Sequence, residues 1–215
     1  MFSSKTLEKY FVLGTQNTND EENFFEVLTE ALQGGITLFQ YREKDHGALK
    51  GHEKVRVAKK IRQLTAQYHV PLVIDDDISL AHEIGADGVH FGQKDGNIVE
   101  NIKSASPLFV GISVSSMAEY KKIKNIQGID YIGIGPVFST TSKEDANPAI
   151  GLTGLAPIVQ ESHWPSVAIG GITEENLASI ISTQVNGIAV ISMISQSSNV
   201  RDTIKFWNLL LLNKK

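Results

Sequence analysis

The sequence has no cysteine, which excludes disulfide frameworks, thiolate nucleophiles and Cys-ligated metal sites. It also lacks long apolar runs, and no stretch approaches the roughly 20 apolar residues that span a bilayer. The N-terminal segment has no apolar core of the kind found in signal peptides. The apolar run at 209–212 is short and fits the packing of a final helix. These absences predict a cytosolic chain without a membrane partner.

Basic charge is also scarce. The chain has 20 Lys and Arg against 24 Asp and Glu, a net charge of -4 and a pI near 5.9. The basic residues are dispersed, so no surface is predicted that follows a nucleic-acid backbone. The 6 His residues lack metal-ligand spacing, and nothing indicates a Ser-His-Asp triad. Only His90 falls in a predicted strand, where it is interpreted as a core residue or a support for a neighbouring site.

The chain does contain a repeated pattern of a short apolar run, a polar or glycine-containing loop and a segment with helical spacing. Eight such cycles predict strands at 10–14, 37–42, 72–76, 88–91, 109–113, 131–135, 166–169 and 187–191. The clearest helices are predicted at 23–33, 54–68, 98–105, 117–124, 174–182 and 200–212. This alternation favours a single-domain (β/α)₈ barrel over residues 1–215 rather than an open doubly wound sheet.

Polar residues recur where the predicted strands end, which is the face that carries active sites in such barrels. At the end of the second strand, Gln40, Arg42 and Lys44 alternate, so they face one side of an extended segment. Arg offers a planar fork and Lys a mobile point charge, so the three residues are predicted to clamp an anion. A solvated strand end with a salt bridge through Glu43 is the alternative.

Carboxylates follow the third and fourth strands. Asp75, Asp76 and Asp77 end one strand, and Asp95 lies in the loop after the next. Asp76 and Asp95 would lie on neighbouring strands, and two carboxylates with water and phosphate oxygens are typical ligands of Mg²⁺. Helix capping is the alternative, and Asp77 is expected to cap the helix that follows it.

The remaining strand ends carry hydroxyls and glycines. Ser113 ends the fifth strand, and a hydroxyl-rich loop containing Thr140, Ser142 and Lys143 follows the sixth; the alternative for this loop is a mobile Ser/Thr segment. The seventh strand ends in Gly170-Gly171 and the eighth in Ile191-Ser192. Loops after strands seven and eight form a recurrent phosphate site in this fold, and glycines let backbone N–H groups approach an anion. A phosphorylated substrate is therefore predicted.

Six segments are distributed along nearly the whole chain: Gln-Tyr-Arg-Glu-Lys at 40–44, Asp-Asp at 75–76, Gly-Val-His-Phe-Gly-Gln-Lys-Asp at 88–95, Asp-Tyr-Ile-Gly-Ile-Gly-Pro at 130–136, Thr-Thr-Ser-Lys at 140–143 and Ile-Gly-Gly-Ile at 169–172. Taken together and in this order, they resemble the thiamine-phosphate synthase family. The resemblance implies a transferase that joins 4-amino-5-hydroxymethyl-2-methylpyrimidine diphosphate to 4-methyl-5-(2-hydroxyethyl)thiazole phosphate. It also implies one Mg²⁺ per subunit and small-molecule partners, and it leaves open a homo-oligomer.

The resemblance implies roles for matching residues. The pyrimidine diphosphate would contact Gln40, Arg42, Lys44, Ser113 and Lys143. All of these except Gln40 would stabilise the departing diphosphate. The metal would be held by Asp76 and Asp95, and the thiazole phosphate by Thr140, Ser142 and backbone groups of Gly171, Ile191 and Ser192.

One position departs from the family pattern. Asp75 stands where the family usually has Asn, so it is expected to weaken diphosphate binding, add a metal contact or bind the pyrimidine amino group. Two alternatives accompany the transferase prediction: a thiazole tautomerase and a non-catalytic barrel that binds thiamine precursors. The basic clamp together with Asp76 and Asp95 favours the transferase.

Overall fold

A closed barrel of parallel strands organises the chain. The computed structural model describes residues 2–142 and 147–212. Eight strands occur within these residues: β1 (Lys9–Leu13), β2 (Leu38–Tyr41), β3 (Leu72–Asp75), β4 (Gly88–Phe91), β5 (Phe109–Val114), β6 (Tyr131–Ile134), β7 (Ser166–Ile169) and β8 (Gly187–Val190). Each pairs in parallel with its neighbours in sequence, and β8 closes the barrel on β1. The predicted (β/α)₈ barrel is confirmed.

Helices connect the strands around the outside of the barrel. Those of the described part of the chain are α1 (Glu21–Gly34), α2 (Gly51–Gln67), α3 (Ile78–Ile84), α4 (Ile98–Ala105), α5 (Met117–Ile123), α6 (Gly151–Glu161), α7 (Glu174–Ile181), α8 (Ser192–Ser195) and α9 (Val200–Leu212). Among these helices, none has the length and apolarity needed to cross a membrane. The predicted cap of α3 is confirmed, because the Asp77 side chain accepts a hydrogen bond from the Leu80 N–H at 3.0 Å.

The apolar core has two parts because successive residues of each strand face opposite sides of the barrel wall. On β1, Phe11 and Leu13 belong to the larger part between the strands and the helices. Tyr10 and Val12 belong to the smaller part inside the barrel. The same alternation continues past the ends of the strands, where the inward positions carry polar side chains. The barrel thus places its polar groups at the carboxyl ends of its strands.

Candidate active site

A cavity opens at the carboxyl ends of the strands, and most of the predicted site residues line it. Those lining it are Arg42, Lys44, Asp75, Asp76, Asp95, Ser113, Thr140, Ser142, Gly171, Ile191 and Ser192. Gln40 does not line the cavity: it lies below, inside the barrel, with 3% of its surface exposed. Lys143 lies outside the described residues. The strand ends therefore gather one continuous site from β2 to β8.

Arg42 is a buried cation held between two carboxylates. Its Nη1 donates to Asp45 Oδ2 at 2.6 Å, and its Nε lies 3.4 Å from Asp75 Oδ2. Its side chain is only 4% exposed, and a charge at this depth is tolerated only with such partners. Asp45 reaches it from a left-handed backbone conformation with φ of 78°. The guanidinium is thus fixed at the cavity wall before any ligand arrives.

Lys44 lies between the carboxylates of β3 and of the loop after β4. Its Nζ donates to Asp76 Oδ2 at 2.6 Å and to Asp95 Oδ1 at 3.2 Å. Asp76 has φ of 60° and a backbone N–H that donates to the His90 carbonyl at 3.0 Å, which ties it to β4. The Gly92 N–H donates to Asp95 Oδ2 at 2.7 Å and fixes the second carboxylate. The predicted metal-binding pair, Asp76 and Asp95, does come together, and both carboxylates contact the Lys44 ammonium.

The electrostatics of this group follow from burial and from proximity. Burial raises the pKa of Asp76, and the nearby charge of Asp75 raises it further, while Lys44 counteracts both effects. Burial also works against the charged forms of Asp95 and Lys44. The hydrogen bond from Gly92 nevertheless lowers the pKa of Asp95, and the two carboxylates raise the pKa of Lys44 above its ordinary value. Of these two carboxylates, Asp76 is therefore the one whose charged form its surroundings stabilise less.

The donor set fits Mg²⁺. No group of three or more His, Asp or Glu side chains arranged for a metal occurs in residues 2–142 and 147–212. Mg²⁺ usually takes one or two protein carboxylates and completes its octahedron with waters and substrate phosphate oxygens. Asp76 and Asp95 supply such a pair, and both carboxylates already face one positive charge, the Lys44 ammonium.

Ser113 presents its hydroxyl to the cavity from the end of β5. Its Oγ lies 2.8 Å from His90 Nε2, and the Gln93 side-chain amide donates to its carbonyl at 3.0 Å. His90 also lines the cavity, next to Ser113, and its interpretation as a support for a neighbouring site stays a prediction. The serine hydroxyl is held in place by a partner beneath it.

The opposite wall consists of backbone rather than charged side chains. Gly170 and Gly171 adopt φ of 102° and 64°, and a Cβ on Gly171 would lie 2.5 Å from the Ser139 carbonyl oxygen. Only glycine allows the β7 and β6 loops to pack this closely. The short helix α8 starts at Ser192 beside them, and loops after the seventh and eighth strands with such a helix form a common phosphate site in this fold.

Comparison with known proteins decides the family. The family model described as thiamine monophosphate synthase matches residues 9–194. The chain belongs to this family. A thiamine-phosphate synthase of Leuconostoc citreum is 56% identical over 207 residues, covering 96% of this chain and 98% of the relative. One from Staphylococcus epidermidis is 42% identical over 208 residues, with the same coverage of 96% and 98%.

Solved structures agree with this membership of the thiamine monophosphate synthase family. A thiamine phosphate pyrophosphorylase from Pyrococcus furiosus superposes with a TM-score of 0.87 at 34% identity, covering 98% of both chains. A 3-hexulose-6-phosphate synthase from Salmonella typhimurium superposes with a TM-score of 0.72 at 14% identity, covering 97% of this chain and 100% of the other. The second likeness concerns the fold alone.

Several residues at the candidate active site were not predicted from the sequence. Asp45 was not recognised as a partner of Arg42, although its place three residues beyond the arginine in a strand-end loop was a usable signal. Gln93 and Asn147 line the cavity and carried no separate signal. Tyr41, between the two inward-facing residues Gln40 and Arg42, packs outside the barrel wall, with its ring centroid 6.2 Å from that of Phe24.

Proposed function

We propose that this chain condenses 4-amino-5-hydroxymethyl-2-methylpyrimidine diphosphate with 4-methyl-5-(2-hydroxyethyl)thiazole phosphate, giving thiamine phosphate and diphosphate. One observation carries the proposal: a single cavity has two unlike walls. Charged groups of β2 to β5 form one wall, including Arg42, Lys44 and the carboxylates Asp76 and Asp95. Backbone of the β7 and β8 ends forms the other. Two phosphorylated reactants can therefore bind side by side with their reacting atoms in between.

The first wall suits the pyrimidine diphosphate. Arg42 can bind two phosphate oxygens at once with its planar fork, while Lys44 and Ser113 add a point charge and a hydroxyl donor. Lys143 is proposed to contribute a second ammonium, and Gln40 to support the pyrimidine from below. These groups stabilise the negative charge that develops on the diphosphate as its C–O bond to the pyrimidinylmethyl group breaks.

One Mg²⁺ per subunit is proposed at Asp76 and Asp95. When bound, it would neutralise part of the diphosphate charge and so favour its departure. The two carboxylates need no rearrangement to face a common cation, because they already share Lys44.

The second wall suits the thiazole phosphate. Backbone N–H groups of Gly171, Ile191 and Ser192 are proposed to hold the phosphate, with the hydroxyls of Thr140 and Ser142 beside it. The thiazole nitrogen then captures the pyrimidinylmethyl cation, whose ring amino group donates electron density. No protein nucleophile takes part, so the chain acts through orientation and charge.

The test is to incubate the purified protein with both precursors, with and without Mg²⁺, and to separate thiamine phosphate and diphosphate by chromatography. We expect both products in equal amounts and only with Mg²⁺. Arg42→Ala should remove most of the turnover, whereas Arg56→Ala, which removes a guanidinium on the surface of α2, should leave it unchanged. Binding of the thiazole phosphate without any product would contradict the transferase function and redirect attention to isomerisation or regulatory binding.

A further inference from the structure

A continuous row of hydrogen-bonded side chains crosses the interior of the barrel beneath the cavity. The Gln40 side-chain amide donates to Tyr10 Oη at 2.7 Å, and Tyr10 Oη lies 2.9 Å from Tyr131 Oη. Tyr131 Oη lies 3.0 Å from His90 Nδ1, and His90 Nε2 lies 2.8 Å from Ser113 Oγ. The row thus joins two predicted substrate-binding residues, Gln40 and Ser113, through Tyr10, Tyr131 and His90.

One assignment of the protons satisfies every contact in this row. The Gln40 nitrogen can only donate, so Tyr10 accepts from it and has one proton left to give to Tyr131. With His90 as a neutral imidazole, Tyr131 donates to Nδ1 and the ring proton lies on Nε2. In this arrangement His90 Nε2 donates to Ser113 Oγ. Because the serine oxygen accepts from below, its own proton is available to an acceptor in the cavity.

The two phenols are suited to this arrangement. Burial raises the pKa of Tyr10 and of Tyr131, so both remain protonated at neutral pH. Tyr10 is 2% exposed and Tyr131 is fully buried, so water does not compete for their hydroxyls. In a low-dielectric interior, hydrogen bonds are stronger and align one another along a chain.

Strand register explains how Tyr131 reaches His90. His90 on β4 is level with Gly111 on β5, which is level with Tyr131 on β6. A Cβ on Gly111 would lie 2.1 Å from the Tyr131 ring. The missing side chain on the strand between them lets the phenol extend across β5 to the imidazole.

We propose that Tyr10, Tyr131 and His90 are positioning residues that orient the Ser113 hydroxyl as a donor to the leaving diphosphate and hold the Gln40 amide at the opposite end of the row. This inference rests on the proposed function. None of the three residues needs to touch the reacting atoms. Their effect is to fix the direction of a proton at Ser113, which matters most when negative charge develops on the diphosphate.

The experiment compares Tyr131→Phe with wild type in the Mg²⁺-dependent synthesis of thiamine phosphate. We expect kcat to fall about 10- to 100-fold, the range usual for losing a group that supports a first contact. The KM for the thiazole phosphate should stay within about twofold, because the other wall is untouched. Tyr120→Phe is the matched control: Tyr120 is equally buried and its hydroxyl donates to the Glu161 carbonyl outside the barrel, so its kcat should equal that of wild type.

A double-mutant comparison separates positioning from a general structural effect. In a Ser113→Ala background the oriented hydroxyl is absent, so adding Tyr131→Phe should change kcat less than about threefold. Tyr10→Phe, which interrupts the row elsewhere, should reproduce the kcat loss and keeps the test available if Tyr131→Phe does not fold.

Three results would overturn the inference. They are a fully active Tyr131→Phe or Tyr10→Phe enzyme, an undiminished effect of Tyr131→Phe in the Ser113→Ala background, and a kcat loss in Tyr120→Phe of the same size. A wild-type protein that makes no thiamine phosphate would overturn the proposed function first and the inference with it.

Discussion

Asp75 places a negative charge where the family usually has an amide, and we expect Asp75→Asn to tighten the binding of diphosphate. The carboxylate lies 3.4 Å from Arg42 Nε, on the residue proposed to grip the leaving group. Asn has nearly the same shape as Asp and keeps one oxygen toward the guanidinium. The substitution therefore removes a charge without opening a space at the cavity wall.

The size of the effect follows from distance. Arg42 separates Asp75 from a bound phosphate oxygen, so the two are apart by the 3.4 Å ion-pair distance plus an ordinary hydrogen bond of about 2.9 Å, or roughly 6 Å. Two unit charges at that distance repel by about 3 kcal/mol at an effective dielectric constant of ~20. Solvent at the cavity mouth lowers this to about 1–2 kcal/mol, which corresponds to roughly 5- to 30-fold in affinity.

The assay is calorimetric titration of inorganic diphosphate, the proposed product, at fixed Mg²⁺ and low ionic strength. Asp77→Asn is the matched control, because Asp77 caps α3 and does not line the cavity, and Asn caps as well as Asp. An affinity of Asp75→Asn equal to or weaker than wild type would refute the electrostatic reasoning. A higher Mg²⁺ requirement in the variant would instead indicate that Asp75 takes part in holding the metal.

Further substitutions test the metal and the core. Chelation of divalent ions should abolish turnover. Asp76→Asn or Asp95→Asn should raise the Mg²⁺ concentration that gives the half-maximal rate at least about tenfold, measured as the rate against added Mg²⁺. Gly111→Ala should lower the free energy of unfolding by about 1–3 kcal/mol, because the added methyl would lie 2.1 Å from the Tyr131 ring. Trp207→Ala should lower the free energy of unfolding by about 3–5 kcal/mol, since the indole is fully buried. Thermal unfolding of each variant measures these two losses.

The strands were predicted well because each is a short apolar run followed by a polar turn, and no end of a strand differs from its predicted position by more than one residue. The helices were harder. Helix α6 contains glycine at both its first and fourth positions and Pro157 in its interior, so its sequence lacks a clear helical signal. Helix α8 has 4 residues, too few for any periodicity.

The site was predicted where it depends on strand ends and missed where it depends on contacts between strands. Arg42 and Asp76 directly follow strands and Ser113 lies at the end of one, so the barrel alone brings them together. The part played by Tyr131 depends on a register that places Gly111 between it and His90, and sequence does not specify register across strands. Asp45 reaches Arg42 only through a positive φ, which Asp adopts rarely.

The glycine positions inside the barrel have an evolutionary consequence. Gly88 is level with Phe109, and Gly111 is level with Tyr131; in each pair a Cβ on the glycine would lie within 2.4 Å of the partner ring. The space left by one strand is filled by the next, so a change in the size of one member of a pair alone lowers stability. Members of this family should therefore show these positions varying together, a small residue with a large one, and an exchange of the two sizes should appear only as a double substitution.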